Sequence, residues 1–135
     1  MTIKVPAVGE SAMLKDALGK TTPGALTLKL FTNNITPGDA DTAATYTEMT
    51  GQGYASKTLA MASWTEAQNG GVSEASYAQQ TWTFTAGGPT SIYGYYVVGA
   101  DGILRWAERF ASTFVAQYTN DSILLTPKFT FASAA

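Results

Sequence analysis

The sequence predicts an all-β domain, a jelly-roll-like β-sandwich preceded by an extended arm that carries one short helix. Three observations carry this expectation. Apolar and polar residues alternate with period two from residue 26 onward, turn-forming clusters recur at short spacing, and only one stretch shows a helical pattern. The chain divides accordingly into an arm with a short helix, residues 1–25, and a β-sandwich domain, residues 26–135.

In the arm, Val5-Pro6-Ala7-Val8-Gly9 reads as extended, and residues 10–18 as the helix. Ser11 is placed to cap it, Met13, Leu14, Ala17 and Leu18 to share a face, and Gly19 to end it. Leu26, Leu28 and Leu30 then fall on one side of a strand, with Thr27, Lys29 and Phe31 on the other. Residues 33–44 (NNITPGDADTAA) are dense in turn formers and read as an exposed loop. Short strands are expected at residues 46–50 and 54–60, separated by Gly51-Gln52-Gly53, and another at Trp64 that dissolves into Gln68-Asn69-Gly70-Gly71. Residues 76–86 alternate again, with Trp82 and Phe84 opposite Thr81, Thr83 and Thr85, and Gly87-Gly88-Pro89 ends the run.

Residues 92–98, β-branched and aromatic, suit a central strand in which Gly94 marks a bulge or a close backbone approach. Ala100-Asp101-Gly102 turns it into residues 103–110, the clearest hairpin in the chain. Residues 113–117 form a further short strand, and Thr119-Asn120-Asp121 a turn. In the last run, residues 123–131, Pro127 cannot donate to a ladder, so the strand lies at an edge there or pairs through only part of its length.

Composition excludes several chemistries. With no histidine and no cysteine, the chain lacks the commonest general base, the usual catalytic triad, disulfides and thiolate metal cages. A net charge of -2 with scattered lysines and arginines offers no footprint for a phosphate backbone, so no nucleic-acid partner is expected. No apolar stretch approaches the roughly 20 residues of a membrane span, and the first residues lack the pattern of a secretory signal. Charged residues make up 13% of the chain, against roughly a quarter in ordinary soluble domains. A surface so poor in charge suits a protein that is covered by neighbours.

The remaining motifs are weak. Gly9-Glu10-Ser11-Ala12 lacks the second glycine of a nucleophile elbow, and Gly19-Lys20-Thr21 follows a helix where a phosphate loop would precede one. Glu48, Glu66, Glu74 and Glu108 are the carboxylates from which a glycosidase pair would be drawn, but solvated faces or salt bridges are their simpler roles. Asp39-Ala40-Asp41 has a spacing compatible with calcium in a loop, without the EF-hand pattern. Trp64, Trp82 and Trp106 suit core packing better than a sugar-stacking platform, and at least one of Tyr93, Tyr95 and Tyr96 is expected to point away from the core side and be available for contact. No cofactor is implied, and no enzyme activity is expected.

Taken together, the N-terminal arm, LKLFTNNITPGDADTAATYTEMTGQGYASKTL, YGYYVVGADGILRWAERF and DSILLTPKFTF resemble small structural proteins of tailed bacteriophages, in particular capsid cement or decoration proteins. The resemblance spans nearly the whole chain as a pattern of strands and turns. It implies a jelly roll made in the host bacterial cytoplasm, assembled as a homotrimer on the capsid surface of the virion, and stabilising the shell by contact with the major capsid protein. Val5, Pro6, Met13, Leu14 and Leu18 of the arm, and Ile35 and Pro37 of the loop, would be its contact residues. The alternative reading is a tail-fibre or carbohydrate-binding host-recognition module.

Overall fold

The computed structural model describes residues 3–132, so residues 1–2 of the expected arm and 133–135 of the expected domain lie outside the described residues. The chain is mostly β with one short helix, and its strands pair antiparallel.

The largest sheet has the order β2-β1-β6-β7, formed by β1 (Leu26–Phe31), β2 (Lys57–Leu59), β6 (Thr90–Val98) and β7 (Leu104–Ala116). Strands β3 (Thr65–Asn69), β4 (Val72–Ser76) and β9 (Lys128–Ala132) form a second sheet in the order β3-β4-β9. Strands β5 (Gln80–Thr83) and β8 (Ser122–Leu125) pair as a third.

The large sheet is apolar on both faces. On one, Leu28 and Leu30 of β1 stand opposite Val97 and Tyr95 of β6, and a cluster joins them to Trp106, Ile92, Trp82, Phe84 and Ile123. This cluster ties the three sheets together, each large side chain contributing about 1.5–3 kcal/mol by leaving water. On the other face Phe31, Tyr46, Tyr96, Val98, Leu104 and Ala107 form a second cluster, in which Tyr46 stacks on Tyr96 at 4.9 Å. The period-two reading of β1 assigned Phe31 to the polar side. Phe31 is instead fully buried, because the loop after β1 folds back over that face and brings Tyr46 to within 4.9 Å of it.

The centre of the molecule follows the sequence closely. Gly94 lies at a register shift between β6 and β7, and a methyl there would overlap Glu108 O and lie 2.7 Å from two ring carbons of Phe31. The hairpin at Ala100-Asp101-Gly102 joins β6 to β7, closed by Gly99 N–H donating to Ile103 O at 3.0 Å. Trp82 and Phe84 are buried while Thr81, Thr83 and Thr85 are exposed. Pro127 divides the last run into two strands with different partners, β8 beside β5 and β9 beside β4.

Other elements differ from expectation. The helix α1 spans Ala7–Ala17, beginning three residues before the expected start, with Pro6 as its uncapped N-cap. Pro6 suits a helix entrance because it needs no N–H partner. Gly9, assigned to an extended arm, is helical because α1 is pressed onto β7: a methyl at Gly9 would overlap Arg105 O and lie 2.9 Å from Leu104 O. Residues 46–50 make only a bridge, Phe31 to Glu48, and no strand. The run expected at residues 76–86 is broken, since Ser76 closes β4 and a new strand starts at Gln80. Val72–Ser76 instead returns from β3 through Gly70-Gly71, both at positive φ, as a two-residue hairpin turn requires. The strands expected at residues 103–110 and 113–117 are one, β7.

Candidate contact surface

The chemistry-bearing side chains are engaged in ways that organise the fold. Lys29 Nζ donates to Glu48 at 3.2 Å, and Tyr54 donates to the same carboxylate at 3.0 Å while its oxygen accepts from Leu30 N–H at 3.2 Å. Glu74 pairs with Lys128 at 3.2 Å. Asp39 pairs with Lys4, at 2.6 Å, whereas Asp41 accepts from Tyr46 Oη at 2.7 Å and from Gly38 N–H at 2.8 Å. The two loop aspartates therefore serve different partners, and no group of three or more acidic, histidine or cysteine side chains suited to a metal converges among the described residues.

Burial and hydrogen bonding shift different groups. Glu108 is buried on the face of the large sheet that meets the other two, and loss of solvent raises its carboxyl above the usual range. Burial likewise pushes Tyr96 up to about 12, with the Glu48 charge adding to it. Asp101 is held below the ordinary carboxylate range, chiefly by its hydrogen bond from Arg105.

Arg105, itself buried, is the hub between α1 and the β6–β7 hairpin. It reaches Asp101 at 3.0 and 3.1 Å, Ile103 O at 2.9 Å and Asp16 of α1 at 3.5 Å. Lys4 exchanges backbone hydrogen bonds with Ala107 of β7, at 2.8 and 3.0 Å. Lys4 thus makes an isolated bridge to the edge of β7 before α1 begins.

Between α1 and the sheet of β3, β4 and β9 lie two adjoining cavities that share Met13 and Phe129. One, of about 450 Å³, is walled by Met13, Leu26, Met61, Trp64, Trp106 and Phe129, with Glu66 among its few polar groups. The other, of about 490 Å³, lies among Val5, Glu10, Met13, Leu14, Phe129 and Phe131. Leu14 (63% exposed), Leu18 (75%), Met61 (59%) and Phe131 (69%) leave large apolar side chains in solvent.

The residues singled out from sequence separate accordingly. Leu14 and Leu18 are exposed, while Pro6 is fully buried and Val5 and Met13 pack against the main core. Ile35 packs on the second cluster and its carbonyl accepts from Arg109 at 2.8 Å. Pro37 is half-buried beside Arg109. Of the helix face expected to hold Met13, Leu14, Ala17 and Leu18, only Met13 is docked, while Leu14, Ala17 and Leu18 are exposed. The docked face is Gly9, Ala12, Met13 and Asp16, and the small residues Gly9 and Ala12 are the buried ones where the helix meets β7.

Trp82 and Trp106 are core residues, and Trp64 is half-buried with its ring edge-on to Tyr77 at 5.3 Å. Of the three tyrosines on β6, Tyr96 is buried in the second cluster and Tyr93 alone is partly exposed, its ring beneath the Arg109 guanidinium at 5.1 Å. Met61 and Phe131 were not singled out, although the alternation Phe129-Thr130-Phe131 placed both aromatics on one side of the last strand.

No family model and no curated protein matches the chain. Among the described residues, no helix is long and apolar enough to cross a membrane.

Proposed function

We propose that the chain is a virion structural protein of a tailed bacteriophage, a cement or decoration protein that binds the outer capsid surface and stabilises it. The observation that carries this reading is the uncovered apolar surface beside α1, on a domain with few charges. Leu14, Met61 and Phe131 stand in solvent at apolar cavities, and Leu18 is exposed at the end of the same helix, the arrangement of a surface that is covered on assembly. The role is mechanical, with many copies burying apolar area against the shell and no cofactor taking part. The resemblance of its strand-and-turn pattern to such proteins supports the same reading.

At the finer level of fold we propose a sandwich. The main hydrophobic cluster draws on the large sheet and on β5 and β8, and Phe129 of β9 packs against it. Jelly-roll connectivity is the form the resemblance implies. The recognition-module alternative has less support, because the cavity beside Trp64 exposes mainly apolar surface, and of its charged groups Asp16 and Arg105 already face each other, which leaves Glu66 where a sugar needs several polar partners.

The test is mixing purified protein with capsids that lack it and then challenging the particles with heat. Stoichiometric binding and delayed rupture are expected. Failure to bind particles, together with tight binding to a defined glycan, would transfer the assignment to host recognition.

A further inference from the structure

We infer that β9 is a self-association edge, along which two copies of this chain pair antiparallel about a two-fold axis at Thr130. The inference goes beyond the proposed role: it gives Phe131, at the edge of the apolar surface beside α1, a second copy of the chain as its cover, and it sets a two-fold pairing in place of the three-fold assembly that the resemblance implies.

Among the described residues strand β9 ends its sheet, pairing with β4 on one side and with no strand on the other. Tyr77 N–H donates to Pro127 O at 2.9 Å, which fixes the alternation of the ladder. Phe129 and Phe131 direct their main-chain groups to Ala75 and Ser73, so the N–H and C=O of Lys128, Thr130 and Ala132 point away from β4, towards the free edge. An exposed edge with unused donors and acceptors is a template for another strand.

The side chains favour this strand itself as the occupant. With the axis at Thr130, Thr130 meets Thr130 of the second copy and Lys128 meets Ala132, each pair exchanging two N–H···O bonds. Phe129 then falls opposite Phe131 of the second copy in a non-hydrogen-bonded pair, the closer of the two types, and aromatic pairs stabilise such positions. Moving the axis by one residue to Phe129 or Phe131 would leave only one aromatic pair. The two Lys128 ammonium groups would stand about 14 Å apart along the strands, beyond the Debye length of about 8 Å in physiological salt. The mostly exposed Phe131 of each copy would be covered at the mouth of the cavity among Val5, Met13 and Leu14.

The chain has no cysteine, so a single one reports this geometry cleanly. Across the axis the Thr130 Cα atoms would lie about 5.5 Å apart, within the roughly 4.4–6.8 Å that a disulfide spans. The experiment combines light scattering of the native protein at tens of micromolar with oxidation of T130C and, as a control on exposed Ser112 of β7, S112C. Expected are a native mass of twice the 14.2 kDa chain, a disulfide-linked dimer from T130C alone, and a monomer from Phe131→Lys with an unchanged circular dichroism spectrum. A native mass of one or three chains would overturn the inference, as would equal cross-linking of both cysteine variants. Capsid binding is read separately, so failure here leaves the proposed role to its own test.

Discussion

Replacing Gly94 by alanine tests the packing at the centre of the molecule. Gly94 sits on β6 between β1 and β7, and the added methyl would overlap Glu108 O and come within 2.7 Å of the Phe31 ring. Carbon atoms pack best at about 3.5–4.0 Å, so the ring alone would have to retreat by roughly 1 Å. Neither neighbour can give way cheaply. Glu108 belongs to a strand bonded along its length to β6, and Phe31 is fully buried with Tyr46 4.9 Å away. Overpacking of this kind costs about 1–3 kcal/mol, and a backbone neighbour puts it at the upper end. Alanine recovers roughly 0.5–1 kcal/mol of the conformational cost that glycine carries in a strand. The net expectation is a loss of about 2 kcal/mol, or about 6–8 °C in melting temperature for a chain of this size. Urea titration followed by tryptophan fluorescence measures it. Gly38→Ala, whose methyl would meet Asp41 at an ordinary 3.6 Å, is the control and should change stability by less than about 0.5 kcal/mol. A Gly94→Ala protein as stable as the control would refute the close-approach argument.

Three further outcomes follow from the same contacts. Burial raises the folded-state pKa of Glu108 above its unfolded value, so the stability linked to its proton is complete below the unfolded pKa and lost as pH rises through the folded one. Glu108→Gln should therefore be more stable than the native protein at pH 7, with the gap closing in acid; thermal melts from pH 3 to 8 that run parallel would contradict this. Asp101 has the opposite sign: its lowered pKa gives stability that is present above the unfolded value and lost as pH falls through the folded one. Asp101→Asn should flatten that acid limb and loosen α1, readable as faster amide exchange in Ala7–Ala17. Removing residues 1–25 should lower the melting temperature by about 10 °C or more, because it strips fully buried Pro6 and the half-buried Val5 and Met13 from the core. Leu18→Gln should shift stability by less than about 0.5 kcal/mol, and equal losses from the truncation and this substitution would show that the arm is not part of the core.

What the sequence disclosed, and what it did not, divides along local and distant causes. The Trp82 and Phe84 alternation, the Ala100-Asp101-Gly102 turn and the interruption at Pro127 are local chemistry, and the structure has them where the residues place them. The helix start was hidden because Gly9 is helical for the sake of a strand nearly 100 residues later, whose carbonyls it must approach. Val72–Ser76 escaped notice since Ser73, Glu74, Ala75 and Ser76 have little intrinsic strand preference, and pairing with both β3 and β9 holds them extended. The second cluster was invisible for a related reason. Phe31 and Tyr96 lie on the face that period two assigns to solvent, and only the returning loop with Tyr46 covers them. The candidate contact surface was half legible: Leu14 and Leu18 stood out as apolar residues of a short helix, whereas Phe131 joins Leu14 only through the packing of β9 beside α1.

As proposed, this chain is a structural component on the outside of a phage particle. Quantitative mass spectrometry of purified virions, read with cryo-electron microscopy of the same particles, measures this directly. The expected result is the chain in regular copy number relative to the major capsid protein, with density over the outer shell and the exposed side chains of Leu14, Leu18 and Phe131 covered. Absence from the particles, or a few copies confined to the tail, would contradict it.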